Sequence, residues 1–301
     1  MTAHYSDRTP LKRPRWRSAT VSTITAVAGA LLVCLTLVSC TPTSSVPRYT
    51  DLSVIGFNYT PYNLFRFKIT DQYGNTLNGG NDLMPGTSDI GNNCCHTLQG
   101  TEFNIEYQLY DVDAALKQNE AEEPMTTVIQ HATVSLPATN ISEIDKLLGR
   151  NVFGVFFYPD NFVQFKFNKH IVDAPRIVYG AIYSALDMRY HDKINPEQEN
   201  DATIFRDTTQ IAAAGWSKYR LLREDDLEQY VYFGMLFNPR FDEHPVMRRL
   251  LEDSRDKPGY FAENSKDLPP NLLAALKSDS FRHLEPQAPL DIPPASQAVT
   301  P

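Results

Sequence analysis

The stretch Thr101–Tyr110, with the sequence TEFNIEYQLY, decides the fold class because apolar and polar residues alternate along it. A period of two residues is typical of a β-strand that buries one of its faces. We therefore predict one face that packs in the core, formed by Phe103, Ile105, Tyr107 and Leu109. The polar residues between them predict a solvent-facing side, formed by Glu102, Asn104, Glu106 and Gln108.

Further strands are predicted on both sides of this stretch, over residues 51–59, 64–70 and 126–136. In the second of these, Phe65, Phe67 and Ile69 share one face. Residues 152–158 and 162–168 flank Pro159-Asp160-Asn161, which is typical of a hairpin. A loop rich in Gly and Asn spans residues 78–93. Residues 51–170 therefore predict a β-rich domain with antiparallel pairing and one buried face.

The pattern changes after residue 170, and residues 171–284 predict a mainly helical region. Residues 201–213 favour a helix, whereas residues 175–188 are ambiguous between helix and strand. Asp225 or Asp226 is expected to cap a helix that ends at Leu236. Residues 243–256 repeat the helical pattern with Val246, Met247, Leu250 and Leu251 as core residues, and residues 268–276 form a short helix. The fold class is α+β, and the Pro-rich residues 285–301 are expected to be disordered.

The composition is that of a folded protein and disfavours nucleic-acid binding. Hydrophobic residues make up 42% of the 301 residues, and the formal net charge is −8. The chain has 28 basic and 36 acidic residues, and residues 1–39 contain five of the bases and one acid, so the remainder has 23 against 35 and a net charge of −12. A charge-steered partner should therefore be basic, and no nucleic acid is expected as a partner.

The N-terminus has the organisation of a secretory signal. A basic stretch precedes Val21 to Val38, an uncharged apolar run of 18 residues. The run ends in Leu37-Val38-Ser39-Cys40, which resembles the bacterial lipobox. The alternative is an uncleaved signal anchor, since the run reaches the lower end of membrane-spanning length.

The lipobox resemblance implies that residues 1–39 are a lipoprotein signal peptide and that Cys40 is the lipidated residue. Residues 40–50 are then a tether to the membrane. Thr41 follows the cysteine where inner-membrane retention would need Asp, which predicts an outer-membrane lipoprotein that faces the periplasm.

Cys94 and Cys95 are the other two cysteines of the mature chain. They form a disulfide with each other, remain two buried thiols, or bridge to another molecule. Zinc is not expected here, because Cys94, Cys95 and His96 are consecutive and cannot easily surround one tetrahedral ion. No metal and no cofactor is predicted, apart from the covalent lipid on Cys40.

An acidic segment, DVDAALKQNEAEE over residues 111–123, separates two predicted strands. Its composition predicts a solvated loop or a short helix. The functional alternative is an epitope for a basic partner, with Glu120, Glu122 and Glu123 as the candidate partner-binding residues.

Catalytic motifs are missing from the sequence. It contains no Gly-x-Ser-x-Gly elbow and no Gly-x-x-x-x-Gly-Lys-Ser/Thr phosphate loop, and its histidines are scattered. We therefore predict that the protein is not an enzyme and has no small-molecule substrate.

Three peptides together resemble an uncharacterised family of proteobacterial lipoproteins. They are the lipobox, Gly56-Phe57-Asn58-Tyr59-Thr60 followed by Cys94-Cys95, and Phe157-Tyr158-Pro159-Asp160. Phe57 stands where the family has tyrosine, and the resemblance covers residues 51–170. Such lipoproteins are often encoded beside lipase effectors of type VI secretion systems.

The resemblance implies an immunity protein that binds the lipase toxin and neutralises it by occluding its active site. The alternative is a structural or assembly lipoprotein of the envelope with no toxin partner, and a third is an unrecognised hydrolase.

Overall fold

The computed structural model describes residues 46–89, 94–136, 151–196 and 200–278. The strands are β1 (Arg48–Asn58), β2 (Asn63–Asp71), β3 (Thr76–Gly79), β4 (Ser88–Asp89), β5 (His96–Gln99), β6 (Glu102–Tyr110), β7 (Val128–Ser135), β8 (Asn151–Phe157) and β9 (Val163–Phe167). The helices are α1 (Val112–Glu120), α2 (Tyr179–Ile194), α3 (Asp201–Tyr219), α4 (Glu224–Leu236), α5 (Pro245–Ser254), α6 (Tyr260–Asn264) and α7 (Pro270–Ser278), with short 3₁₀ helices at Asn168–Asp173 and Phe241–Glu243.

The strands form two sheets, and the predicted α+β class is confirmed. Sheet 1 has the order β4-β1-β8-β9, and β5 also pairs with β1. Sheet 2 has the order β3-β2-β6-β7 and is antiparallel throughout. The helices from α2 onward follow the strands in the chain, as the sequence pattern predicts.

The predicted buried face of β6 is confirmed. Phe103, Ile105, Tyr107 and Leu109 are each 1% exposed and belong to the core between the sheets. Glu102, Asn104 and Glu106 are exposed, as expected. Gln108 lies on the same outer side but is buried, and its Oε1 accepts a hydrogen bond from Arg66 Nε at 3.0 Å.

The predicted core position of Phe65 is wrong. The pairing of β2 with β6 shifts between Leu64 and Arg66, which places Phe65 in an irregularity of the ladder. Leu64 and Phe67 are buried on its two sides, whereas Phe65 is 38% exposed. An extra residue in one strand reverses the side to which its neighbours point, and strict alternation cannot indicate such a shift.

The expectation of antiparallel pairing with one buried face is wrong for β8. This strand runs parallel to β1, with Leu52 opposite Asn151 and Asn58 opposite Phe157, and it is antiparallel to β9. Every residue from Val152 to Phe157 is buried. A strand covered on both faces has a continuous apolar run, and VFGVFF is such a run.

Sheet 1 therefore lies between two cores. Phe153, Val155 and Phe157 pack against sheet 2, and Val152 and Phe156 pack in the core shared with the helices. Each buried phenylalanine contributes about 1.5–3 kcal/mol relative to exposure. The described residues therefore form three layers, in the order sheet 2, sheet 1 and helices.

The ambiguous residues 175–188 contribute to a helix. In α2 the buried residues Tyr179, Ile182 and Leu186 recur at the spacing of one helix face. The Tyr179 hydroxyl donates to the carbonyl oxygen of Tyr59 at 2.7 Å, which fixes the helix against the end of β1.

The predicted cap of α4 is wrong. Arg223 occupies the N-cap, and Asp226 is buried within the first turn. The Asp226 carboxylate instead accepts hydrogen bonds from the backbone N–H groups of Gly259 at 2.6 Å and Ala262 at 2.8 Å. It thereby caps α6, which follows more than thirty residues later in the chain.

In α5, the predicted core positions of Met247 and Leu251 are confirmed, but Val246 is 51% exposed. Pro245 is the first residue of the helix, and the His244 side chain accepts a hydrogen bond from the Val246 N–H. Val246 therefore lies in the first turn and on the side that faces away from the core.

The described residues begin close to the predicted tether. β1 starts at Arg48, three residues before the predicted start of the β-rich domain, and β9 ends at Phe167. Residues 1–39, Cys40 and the tail 285–301 lie outside the described residues. Among the described helices, none is both long and apolar enough to cross a membrane.

Candidate functional site

Cys94 and Cys95 are joined by a disulfide across one peptide bond. Both residues are exposed, and Cys95 has a φ of 76°, in the left-handed region. The pair directly precedes β5, whose residue His96 lies opposite Leu52 of β1. The bridge therefore fixes the chain where it joins the edge of sheet 1.

The Gly/Asn-rich segment that leads to this pair is more ordered than a free loop. Its first two residues, Asn78 and Gly79, are the last two of β3, and Ser88 and Asp89 pair with Phe57 and Gly56 of β1. Leu83 is buried against β2, where it pairs with Leu64. The described part of the segment therefore covers the edge of β1.

A metal centre is not formed by the described residues. His96 is the histidine beside the cysteine pair, and the described part of the chain contains no group of three or more potential ligands from His, Cys, Asp and Glu.

The acidic segment begins with a capped helix. Asp111 is the N-cap of α1, and its side chain accepts from the N–H groups of Asp113 at 2.9 Å and Ala114 at 3.1 Å. None of the residues of α1 is buried. The short-helix prediction is therefore confirmed, and the helix lies on the surface.

An ion pair attaches α1 to the helical layer. Arg206 of α3 donates from Nε to Asp113 Oδ2 at 2.7 Å, and its Nη2 lies 2.5 Å from Asp113 Oδ1. The same guanidinium contacts Thr203 Oγ1 at 3.1 Å. Two parallel contacts of this kind fix orientation as well as distance, so the pair positions the helix.

The residues after α1 form a defined surface turn, which we call the acidic turn (residues 120–126). Glu122 has a φ of 56°, and its N–H donates to the carbonyl oxygen of Asn119, while that of Glu123 donates to Gln118. The Gln118 side chain then closes the turn. Its Nε2 donates to Thr126 Oγ1 and its Oε1 accepts from the Thr126 N–H, both at 2.8 Å.

The three candidate glutamates lie together in this turn. Glu120, Glu122 and Glu123 are exposed, and the ion pairs formed among the described residues do not include them. Exposed apolar side chains flank them in sequence, namely Leu116 at 54%, Met125 at 41% and Ile129 at 50%. The acidic turn is therefore an ordered, negatively charged surface, and its charge is complementary to that of a basic protein.

Sequence reasoning missed a groove on the outer face of sheet 2. It has a volume of about 450 Å³ and is lined by residues of β2, β3 and β6 and by the residue after β3, namely Arg66, Phe67, Lys68, Asn78, Gly79, Gly80, Glu106 and Gln108. The alternation in β2 and β6 placed several of these residues outward, but their meeting depends on the strand register, which the sequence does not specify.

A buried polar cluster in the helical layer was also missed. The hydroxyls of Tyr219 and Tyr230 donate to Asp242 Oδ2 at 3.1 and 2.9 Å, and Lys218 Nζ lies 3.1 Å from the same oxygen. Burial, together with the negative charge of Asp242, raises the pKa of both tyrosines above the usual value. Each tyrosine therefore acts as a hydrogen-bond donor, and the cluster ties α3 and α4 to the 3₁₀ helix Phe241–Glu243.

The structure does not bring the candidate site residues into one centre. The cysteine pair lies at the β1 edge of sheet 1, and the glutamates lie in the connection between β6 and β7 of sheet 2. Comparisons of this chain with protein-family models, with curated proteins and with solved structures found no match.

Proposed function

We propose that this protein is a lipid-anchored immunity protein of the bacterial envelope that binds and neutralises a lipase effector of a type VI secretion system. The sequence Leu37-Val38-Ser39-Cys40 supports the anchor, and the resemblance of residues 51–170 to envelope lipoproteins supports the role. The protein would face the periplasm from the outer membrane.

The observation that carries the proposal is the ordered acidic turn. The paired contacts of Gln118 with Thr126 hold the turn closed before any partner arrives. A loop that is already ordered loses less conformational entropy on binding, which favours tight association. Three exposed carboxylates on that loop attract a basic surface and exclude an acidic one.

The proposed mechanism is occlusion. The lipase acts at the membrane, and an inhibitor tethered to the same membrane meets it at a raised effective concentration. Bound over the substrate cleft of the lipase, the protein excludes phospholipid and catalyses no reaction itself. The role needs a binding surface and an anchor but no catalytic group.

The binding test uses the soluble form that begins after Cys40 and the lipase encoded by the neighbouring gene. We expect a Kd of about 1 nM, equivalent to about 12 kcal/mol. Phospholipid hydrolysis should stop at a stoichiometric ratio, and the protein alone should release no fatty acid. A lipase that is neither bound nor inhibited contradicts the proposal and favours the structural envelope lipoprotein.

Charge reversal identifies the surface. The triple variant Glu120→Lys, Glu122→Lys and Glu123→Lys should slow association about tenfold or more at low salt and flatten its salt dependence. The matched control reverses three exposed acids of the helical region, Asp256, Glu263 and Asp267, and makes the same change in net charge. Equal effects of the two triple variants would show that net charge, and not the acidic turn, steers the association.

The anchor has its own test. Cys40→Ser removes the thiol to which lipid is attached, so the variant should remain a larger precursor that does not label with fatty acid. Labelling of the serine variant, or a wild-type protein that retains residues 1–39, contradicts the lipoprotein assignment.

A further inference from the structure

Three segments of the chain meet at one end of the β-sheets, next to the point where the described chain begins. Arg48 at the start of β1 pairs with Gln99 of β5, and Gly100 donates its N–H to the carbonyl oxygen of Pro47 at 2.8 Å. Gln99 in turn donates its N–H to Asp71, at the end of β2. Residues 46–48, the turn 71–75 and residues 99–100 therefore lie together.

The turn 71–75 packs closely on this end of the sheets. Gly100 has a φ of 89°, and a Cβ atom added to it would lie 2.7 Å from Cδ of Gln72. Beyond Gln72 the turn projects Tyr73, which is 51% exposed. On the neighbouring segment Val46 is 48% exposed. An aromatic and an aliphatic side chain are thus both displayed where the chain leads back toward Cys40.

The length of chain before Val46 limits how far this end can lie from a lipid on Cys40. Six residue steps separate Cys40 from Val46, and a fully extended chain covers about 3.3–3.6 Å per residue, so the distance is at most about 22 Å. β1 is 11 residues long, or roughly 35 Å, and it leads away from this end. An anchor at Cys40 therefore brings the Tyr73 end near the bilayer, and the far end of β1 can stay clear of it.

We propose that Val46 and Tyr73 form a membrane-contact surface that seats this end of the sheets on the lipid bilayer. This inference rests on the lipid anchor of the proposed function. Tyrosine is suited to the membrane–water interface because its ring is apolar and its hydroxyl is polar. Arg48 and Glu102 are both exposed at this end, so the surface has charges of both signs. Contact should therefore depend little on the anionic lipid content.

The orientation places the acidic turn away from the membrane. β6 runs from Glu102, near the proposed contact surface, to Tyr110 at the other end, about 30 Å away for nine residues. α1 starts directly after that far end, and β7 returns from there, since Val128 lies opposite Leu109. The seated protein would therefore present the acidic turn toward the periplasm, where an incoming partner can reach it.

Tryptophan quenching by brominated lipids tests the orientation. The mature chain has Trp216 as its sole tryptophan, because the other of the two, Trp16, lies in the signal peptide. The lipidated variant Tyr73→Trp is reconstituted in phosphatidylethanolamine–phosphatidylglycerol vesicles with or without bromine on the acyl chains. Trp216 stays in place, and its fluorescence in the parent protein is subtracted.

The matched control is Leu116→Trp, at an α1 position of similar exposure near the opposite end of the sheets. We expect bromolipids to quench the added fluorescence of the Tyr73→Trp variant about twofold or more, as for an interfacial tryptophan. The added fluorescence of the Leu116→Trp variant should stay unchanged. Changing the phosphatidylglycerol fraction should not alter the result for Tyr73→Trp.

Quenching of both introduced tryptophans, or of neither, contradicts the seated orientation, because the fold would then turn freely on its tether. Flotation of the same samples with the vesicles separates this failure from failure of the anchor. Protein that does not float lacks the lipid, and the proposed anchor and the membrane-contact surface are then both wrong. Protein that floats without selective quenching overturns the membrane-contact surface alone.

Discussion

Asp71 accepts a hydrogen bond of 2.6 Å from the backbone N–H of Gln99, which lies 28 positions later in the chain. The same carboxylate accepts from the N–H groups of Tyr73 and Asn75 and from the Asn75 side chain. Burial by itself would raise the pKa of Asp71, but these hydrogen bonds together lower it below the usual value. One ionised side chain thus holds the turn 71–75 against β5 and connects the two sheets.

This carboxylate should make stability depend on acidic pH. Because its pKa is lower in the folded than in the unfolded chain, its contribution is present at neutral pH and is lost as the pH falls through the folded-state pKa. Asp71→Asn should lower the free energy of unfolding by about 1–3 kcal/mol at pH 7. Urea unfolding of both proteins at several pH values should show this difference in free energy shrink as the pH falls below 3.8, the usual pKa of an aspartate.

The control for this prediction is Asp253→Asn, because Asp253 is more than half exposed. It should change the unfolding free energy by about 0.5 kcal/mol or less at any pH. A difference between wild type and Asp71→Asn that stays constant through the acid range would mean that ionisation of Asp71 does not stabilise the fold.

Two neighbouring residues of β6 should respond very differently to truncation. Ile105→Ala removes a side chain that is 1% exposed, and it should cost about 2–5 kcal/mol of unfolding free energy. Glu106→Ala, one position later on the outer face, should cost about 0.5 kcal/mol or less. Chemical denaturation of both variants provides the comparison, and equal losses would be incompatible with the burial of a single face.

The alternation in β6 predicted its own core face, but the same reasoning was wrong at Phe65. Strand period is a local property of the sequence, whereas the irregularity opposite Leu109 depends on how β2 pairs with β6. The burial of both faces of β8 likewise depends on tertiary packing. Its apolar run VFGVFF is consistent with that covering, but the sequence does not state that a helical layer lies on the second face.

The candidate site was likewise predictable from the sequence only in part. Composition alone pointed to Glu120, Glu122 and Glu123 as an acidic segment, because charge can be counted along the chain. Their ordering depends on Gln118 reaching Thr126 eight positions away, and no residue pattern indicates that pair of contacts. The attachment of Asp113 to Arg206 spans 93 positions, so it becomes visible only once the helices are packed.

The cysteine pair should be oxidised in periplasmic material, since that compartment maintains disulfides. Alkylation of the unreduced mature protein should not modify Cys94 or Cys95, so its intact mass should stay unchanged. After reduction two alkyl groups should be added. Two reactive thiols in unreduced protein would exclude the bridge, and a dimer that reduction separates would indicate an intermolecular disulfide.

The ordered state of the acidic turn should depend on Gln118. Gln118→Ala removes both contacts with Thr126 and keeps a strong helix former in α1, so the unfolding free energy should fall by about 1 kcal/mol or less. Amide hydrogen exchange at Thr126 should become faster, because its N–H loses the Gln118 acceptor. Binding to the lipase should weaken about fivefold to tenfold, because the turn must then be ordered during association.

Asn119→Ala is the matched control, since Asn119 accepts through its backbone carbonyl, which the substitution retains. If both variants weaken binding equally, or if Gln118→Ala frees the Thr126 amide without any loss of affinity, preorganisation of the acidic turn does not contribute to recognition.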